Sequence, residues 1–158
     1  MSTQGSLRKS GVEDAAELKF GPEFEKIDIL SNAQVAVILQ SYARSAGDRD
    51  EELHDNFRKT QKYVDRFNTM TNQEKNNQEL VKELDNLQDA LTTFRKETEQ
   101  GDELELHGFE VAALMNLVAT DTSVDEAKAL IPSMSRFPEA AIDEILDLIR
   151  TTMIRIVS

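Results

Sequence analysis

Few side chains in this sequence are equipped for chemistry. It has two histidines, His54 and His107, and no cysteine, which removes disulfides, thiolate metal sites and thiol nucleophiles together. His54 lies at the polar start of one helix-forming stretch, and His107 opens another among Glu103, Glu105 and Glu110. A metal or acid–base role would need converging partners, and no H-E-x-x-H or comparable spacing is present. Both histidines read as surface or capping residues. The acidic run from Asp48 to Glu52 begins like a calcium loop. Its sixth position is Leu53 where the loop needs Gly, and its twelfth is Lys59 where it needs Glu. Counting from Asp102 fails likewise, at His107 and Ala113. No G-x-S-x-G nucleophile elbow, G-x-G-x-x-G loop or Walker loop occurs. The expectation is a non-catalytic protein with no cofactor and no metal.

Composition narrows the class further. Thirty acidic against 18 basic residues in a chain of 158 give a formal net charge of −12. Such a chain repels phosphate backbones, so no direct high-affinity nucleic-acid binding is expected. No apolar run approaches the ~20 residues that span a bilayer, and residues 1–18 contain no apolar signal core. A soluble, acidic, intracellular protein is expected, without a membrane partner.

The elements that must position any functional surface read as helices behind an extended arm. Residues 1–14 are rich in Ser, Gly and charge and are expected to form a disordered tail. Residues 15–30 form the arm: Leu18, Phe20, Pro22 and Phe24 alternate onto one face, as in a strand, and Pro22 restricts it to an edge. No other segment reads as a strand, so this one has no partner within the chain. Residues 31–70 hold the N-terminal helices. The first starts at a Ser31–Gln34 capping box, and the second runs from about Asp50 to Met70 with Leu53, Phe57, Val64 and Phe67 on one face. Residues 71–79 contain no apolar side chain and read as a flexible connection.

Residues 80–158 form the C-terminal domain. Leu80, Leu84, Leu87, Leu91 and Phe94 follow at 4-3 spacing on a helix expected to stop near Gly101, a left-handed cap, before a turn at 101–106. This helix is expected to pair antiparallel with the one before it. A helix from His107 to Val118 is apolar on nearly all sides except Glu110 and Asn116, which marks a central, buried element. Ser123–Glu126 is a second capping box, on a short helix that ends at Pro132. The last helix follows Pro138. The fold class is all-α, a helical bundle with an N-terminal arm.

Several of these segments together resemble a known family. They are L-K-F-x-x-E-F from Leu18 to Phe24 with the Leu30-Ser31-Asn32 helix start, and F-x-K-T-x-x-Y-x-x-R-F from Phe57 to Phe67. To these are added Leu106, His107, Phe109, Glu110, Ala112, Leu114, Asn116 and Leu117, then E-A-K-x-L-I-P-S from Glu126 to Ser133, with Ile145 to Ile149 behind it. In order and over roughly residues 15–150, they are similar to the fourth subunit of eukaryotic RNA polymerase II, the smaller half of the stalk heterodimer. The resemblance implies a C-terminal half like the helicase-and-RNase-D C-terminal (HRDC) domain, and an arm that embraces the larger stalk subunit. It implies a nuclear protein, with the cytoplasm as a second location, that supports transcription initiation and recruits factors near the RNA exit path. The polar stretch at 71–79 and the long helix after it exceed the compact family core, which points to a fungal member.

The partner-binding residues expected on this reading are Leu18, Phe20 and Phe24 of the arm, with Leu106, Phe109, Ile131 and Pro132 added from the resembling motifs. Two alternatives accompany it. One is the paralogous stalk subunit of RNA polymerase III. The other, of a different class, is a self-associating helical adaptor that uses the Leu80–Phe94 ladder as a homodimeric seam.

Overall fold

The computed structural model describes residues 12–49, 52–71 and 75–157. Among these are six α-helices and one short hairpin, so the all-α expectation holds. Helix α1 spans Asn32–Asp48, α2 Asp55–Phe67 and α3 Asn77–Thr92. The hairpin strands β1 and β2 are Arg95–Glu97 and Glu103–Glu105. Helix α4 spans Gly108–Leu117, α5 Val124–Leu130 and α6 Glu139–Val157. Three 3-10 turns, Ala15–Glu17, Pro22–Phe24 and Pro132–Arg136, complete the order.

Local chemistry sets the helix starts. The Ser31 hydroxyl accepts from the Gln34 amide at 3.3 Å while the Gln34 side chain accepts from the Ser31 amide at 2.9 Å. The reciprocal pair at Ser123 and Glu126 has distances of 3.2 and 3.3 Å. Each box satisfies two amides that have no partner inside the helix. Asn76 caps α3 by accepting from Glu79 at 2.9 Å.

The core lies between α3 and α6, with α4 beside them. Leu84 and Leu91 of α3, Leu114 of α4, and Ile142, Ile145, Leu146, Ile149 and Ile156 of α6 are fully enclosed. The Leu80–Leu91 ladder thus packs chiefly along α6 within the same chain. That corrects two expectations. The antiparallel partner of α3 is α6, since α2 packs mainly on α1, where Tyr42 and Phe57 meet at 5.3 Å. No seam remains on α3 for a second copy, because its four leucines are at most 5% exposed.

Other boundaries move for identifiable reasons. Helix α2 begins at Asp55, because the His54 imidazole stands before it as the cap, accepting from Asn56 at 3.2 Å. Helix α3 ends at Thr92 rather than near Gly101. The Thr93 hydroxyl donates to the Asp89 carbonyl at 2.7 Å, and the chain turns into the hairpin. There Arg95 reaches Glu105 at 3.0 Å across the strands, and Gly101, at φ +87, closes the loop. Residues 101–106 are therefore half turn and half strand. Of the tail, residues 1–11 lie outside the described residues, while Asp14 is ordered as a cap. Of the 71–79 connection, residues 72–74 lie outside them. Its remainder is anchored, since the Lys75 ammonium donates to the Arg155 carbonyl.

Candidate partner interface

The arm is where the structure departs furthest from simple alternation. Asp14 accepts from the Ala16 amide at 3.0 Å and opens the Ala15–Glu17 turn. Leu18 then adopts the left-handed conformation, at φ 58, and the chain folds back so that Asp14 and Lys19 exchange two backbone hydrogen bonds of 2.9 Å. A left-handed residue in the middle breaks strand alternation, and Pro22–Phe24 turns again as a 3-10 segment. The expected edge strand is not formed; the apolar side chains are presented from a looped arm. Beside the loop, the exposed Lys19 ammonium pairs with Glu17 at 2.5 Å, and this hydrogen bond and opposite charge hold its pKa above the usual lysine value.

Phe20 is the pin. Its ring stacks on His107 at 5.3 Å between centroids and tilts against Phe109 at 5.0 Å, which docks the arm on the start of α4. Leu18 is half-buried, whereas Phe24 and Ile27 are 53% and 55% exposed. A cleft of about 550 Å³ opens between the arm and α4, lined by Leu18, Lys19, Phe20, Phe24, Glu25 and His107 among others. The first 3-10 turn also packs against the Pro132–Arg136 turn, with Pro132 exposed.

Beneath the arm lies a buried carboxylate. Glu110 is 0% exposed, yet both its oxygens are satisfied. Oε1 accepts from the His107 amide at 2.8 Å and from Arg136 at 2.6 Å. Oε2 accepts from the Ser133 hydroxyl at 2.7 Å and from Arg136 at 2.5 Å. The His107 imidazole completes a capping box by accepting from the Phe109 amide at 3.0 Å. Arg136 also donates to the Glu105 carbonyl at 2.7 Å and to that of Ser133 at 2.8 Å. The fork geometry of a guanidinium suits this bidentate role. One acid therefore ties β2, the α4 start and the Pro132–Arg136 turn into the platform on which Phe20 sits. A second tie holds α1: Asn116 accepts from the Asn32 amide at 2.7 Å, and Gln34 donates to Gln88 at 2.8 Å.

The expected partner residues divide accordingly. Leu18, Phe20, Phe109 and Pro132 gather around the arm, with Phe24 at its outer edge. Leu106 and Ile131, 6% and 2% exposed, belong to the core, so their apolar surface is already used inside the chain. Ile27 escaped notice because it stands outside the alternating run. The Glu110–Arg136–Ser133 cluster escaped because its members lie 23 and 26 residues apart. Among the described residues no group of His, Asp and Glu side chains is arranged to hold a metal ion, and no helix is long and apolar enough to cross a membrane.

These features define a mainly helical module carrying a docked arm with an apolar outer edge. The family described as RNA polymerase Rpb4 matches residues 29–153, and the chain belongs to that family. It is 30% identical over 139 residues to DNA-directed RNA polymerase II subunit 4 of Arabidopsis thaliana, covering 85% of this chain and 86% of the relative. To DNA-directed RNA polymerase II subunit rpb4 of Dictyostelium discoideum it is 25% identical over 165 residues, covering 92% and 94%.

Proposed function

We propose that this chain is the smaller, non-catalytic stalk subunit of RNA polymerase II, acting in the nucleus as a heterodimer with the larger stalk subunit. Through that dimer it supports initiation and recruits factors near the RNA exit path. The reading rests on the family match over most of the chain together with near-complete coverage of two polymerase II subunits. Residues 80–158 serve in it as an HRDC-like domain. The arm supplies the contact with the larger subunit through Leu18, Phe20 and Phe24, which line the cleft, and through the exposed Ile27, with Phe109 and Pro132 where the arm docks. Large apolar groups left this exposed favour a protein surface over solvent.

Titration calorimetry against the larger subunit tests the assignment. Phe24→Asp and Ile27→Asp, at exposed sites, should leave the helical circular dichroism unchanged and weaken binding at least about tenfold each. Unchanged affinity in both would exclude the arm as the contact. Capture from native nuclear extract with mass spectrometry should return polymerase II subunits, and recovery of polymerase III subunits instead would reassign the complex.

A further inference from the structure

Among the described helices, α2 carries the most basic side chains. Arg58, Lys59, Lys62 and Arg66 place four of the 18 basic residues on this single helix of a chain with net charge −12. Lys59, Lys62, Tyr63, Arg66 and Phe67 recur at i, i+3, i+4, i+7 and i+8, so they share a face. All five are exposed, Tyr63 by 58% and Phe67 by 46%. None of the three cations is ion-paired with a described residue; Arg66 lies 5.3 Å from the Phe67 ring centroid. The opposite side of α2 holds the helix down, through buried Val64 and through Phe57 against Tyr42.

The Tyr63–Phe67 end of this face forms one wall of an apolar groove of about 610 Å³, and Lys59 and Lys62 continue the face beyond the groove's lining. Tyr63, Arg66 and Phe67 stand on one side, with Leu30, Leu117 and Leu130 among the residues facing them. Leu117 and Leu130 are 50% and 48% exposed, unusual for leucines in a small domain unless something covers them. The groove meets the arm platform at Phe109 and at Ile29 and Leu30 of the arm, whereas the three cations lie outside the contact surface assigned to the larger subunit.

We propose that this groove docks an acidic peptide segment in which Asp or Glu alternates with Leu or Phe, supplied by a factor brought to the complex. Charge complementarity selects the occupant. Lys59, Lys62 and Arg66 are ion-paired with no described residue, so a partner carboxylate gains a pairing without displacing one of theirs. The repulsive field of the rest of the chain would deter a long polyanion, while a short acidic segment running from Arg66 along the Lys59–Lys62 stretch of α2 avoids most of it. The leucine-lined floor takes the apolar side chains. Of the polar groups lining the groove, the Asn116 side-chain oxygen is already occupied by the Asn32 amide at 2.7 Å. Repulsion of a continuous phosphate backbone by a chain of net charge −12 places a short peptide ahead of single-stranded RNA, although exposed aromatics beside cations could stack bases.

Fluorescence anisotropy on the full chain decides between them, using a labelled peptide of alternating Asp/Glu and Leu/Phe, the same peptide with Lys in place of the acids, and a single-stranded RNA of matched length. The acidic peptide should bind and weaken as salt rises. The doubly reversed chain, Lys59→Glu with Lys62→Glu, should lose at least about tenfold in affinity. Leu117→Ser should lose affinity as well. Circular dichroism should match wild type for both. Absence of binding, equal binding of the Lys peptide, tighter binding of RNA, or indifference to the charge reversal would each overturn the proposal. So would a dimer seen by sedimentation that the same reversal dissolves, because a second copy would then be the occupant. Heterodimer formation is read separately through Phe24 and Ile27, so failure here leaves that assignment standing or falling alone.

Discussion

Glu110 shows how much a single residue organises in this chain. A carboxylate removed from water is costly unless its charge and lone pairs are matched, and here Arg136, Ser133 and the His107 amide do the matching. Arg136→Met should therefore destabilise by about 3 kcal/mol, because it leaves the acid buried without a counter-charge. Ser133→Ala removes one hydrogen bond to a charged group and should cost about 1.5–3 kcal/mol. Urea unfolding, with the midpoint shifting at constant slope, checks both. His107→Ala should cost about 0.5–2 kcal/mol by uncapping α4, and His107→Asn should recover most of that, since asparagine caps well. The Ser31 and Ser123 boxes were legible in the sequence because both members lie three residues apart. The carboxylate cluster was not, because local spacing carries no record of which arginine will return to which acid. His107 lies between these cases. A capping role was among its readings, but histidine is not among the usual capping-box residues, so the reciprocal bond from Glu110 stayed hidden.

At the scale of elements, apolar patterning together with caps located the six α-helices among the described residues, and α3 and α6 bury the faces that periodicity marked. It misread two short segments, each for its own reason. The hairpin at Arg95–Glu97 and Glu103–Glu105 is almost wholly charged, and only Lys96 and Leu104 turn partly inward, so no apolar alternation announces it. In the arm the alternation is present, but Leu18 takes a left-handed backbone that alternation cannot reveal. Gly101→Ala should cost about 1 kcal/mol, since φ +87 is strained for any side chain although nothing crowds the site. The effect is read by thermal melting and should be confined to the hairpin's contribution. On α3, Leu84→Ala should cost about 2–5 kcal/mol, with the sedimentation coefficient unchanged at every concentration. A wild-type dimer dissolved by that substitution would restore a seam that the packing has closed.

For the molecule as a whole, the enclosing of Leu84 and Leu91 by Ile142, Ile145 and Ile149 has a consequence in time. A ribosome emits roughly 5–20 residues per second, so α3 leaves the tunnel several seconds before the helix that covers it. Throughout that interval its leucine face is bare, and α4, apolar on nearly all sides, is exposed with it. The nascent chain must either be shielded by a chaperone or wait as a loose collapse until α6 arrives. Arrest-peptide force profiling should report a single late folding event, after α6 has cleared the tunnel, with no earlier one at the end of α4. A premature stop just before Glu139 would then yield a sticky, protease-sensitive fragment rather than a smaller working subunit.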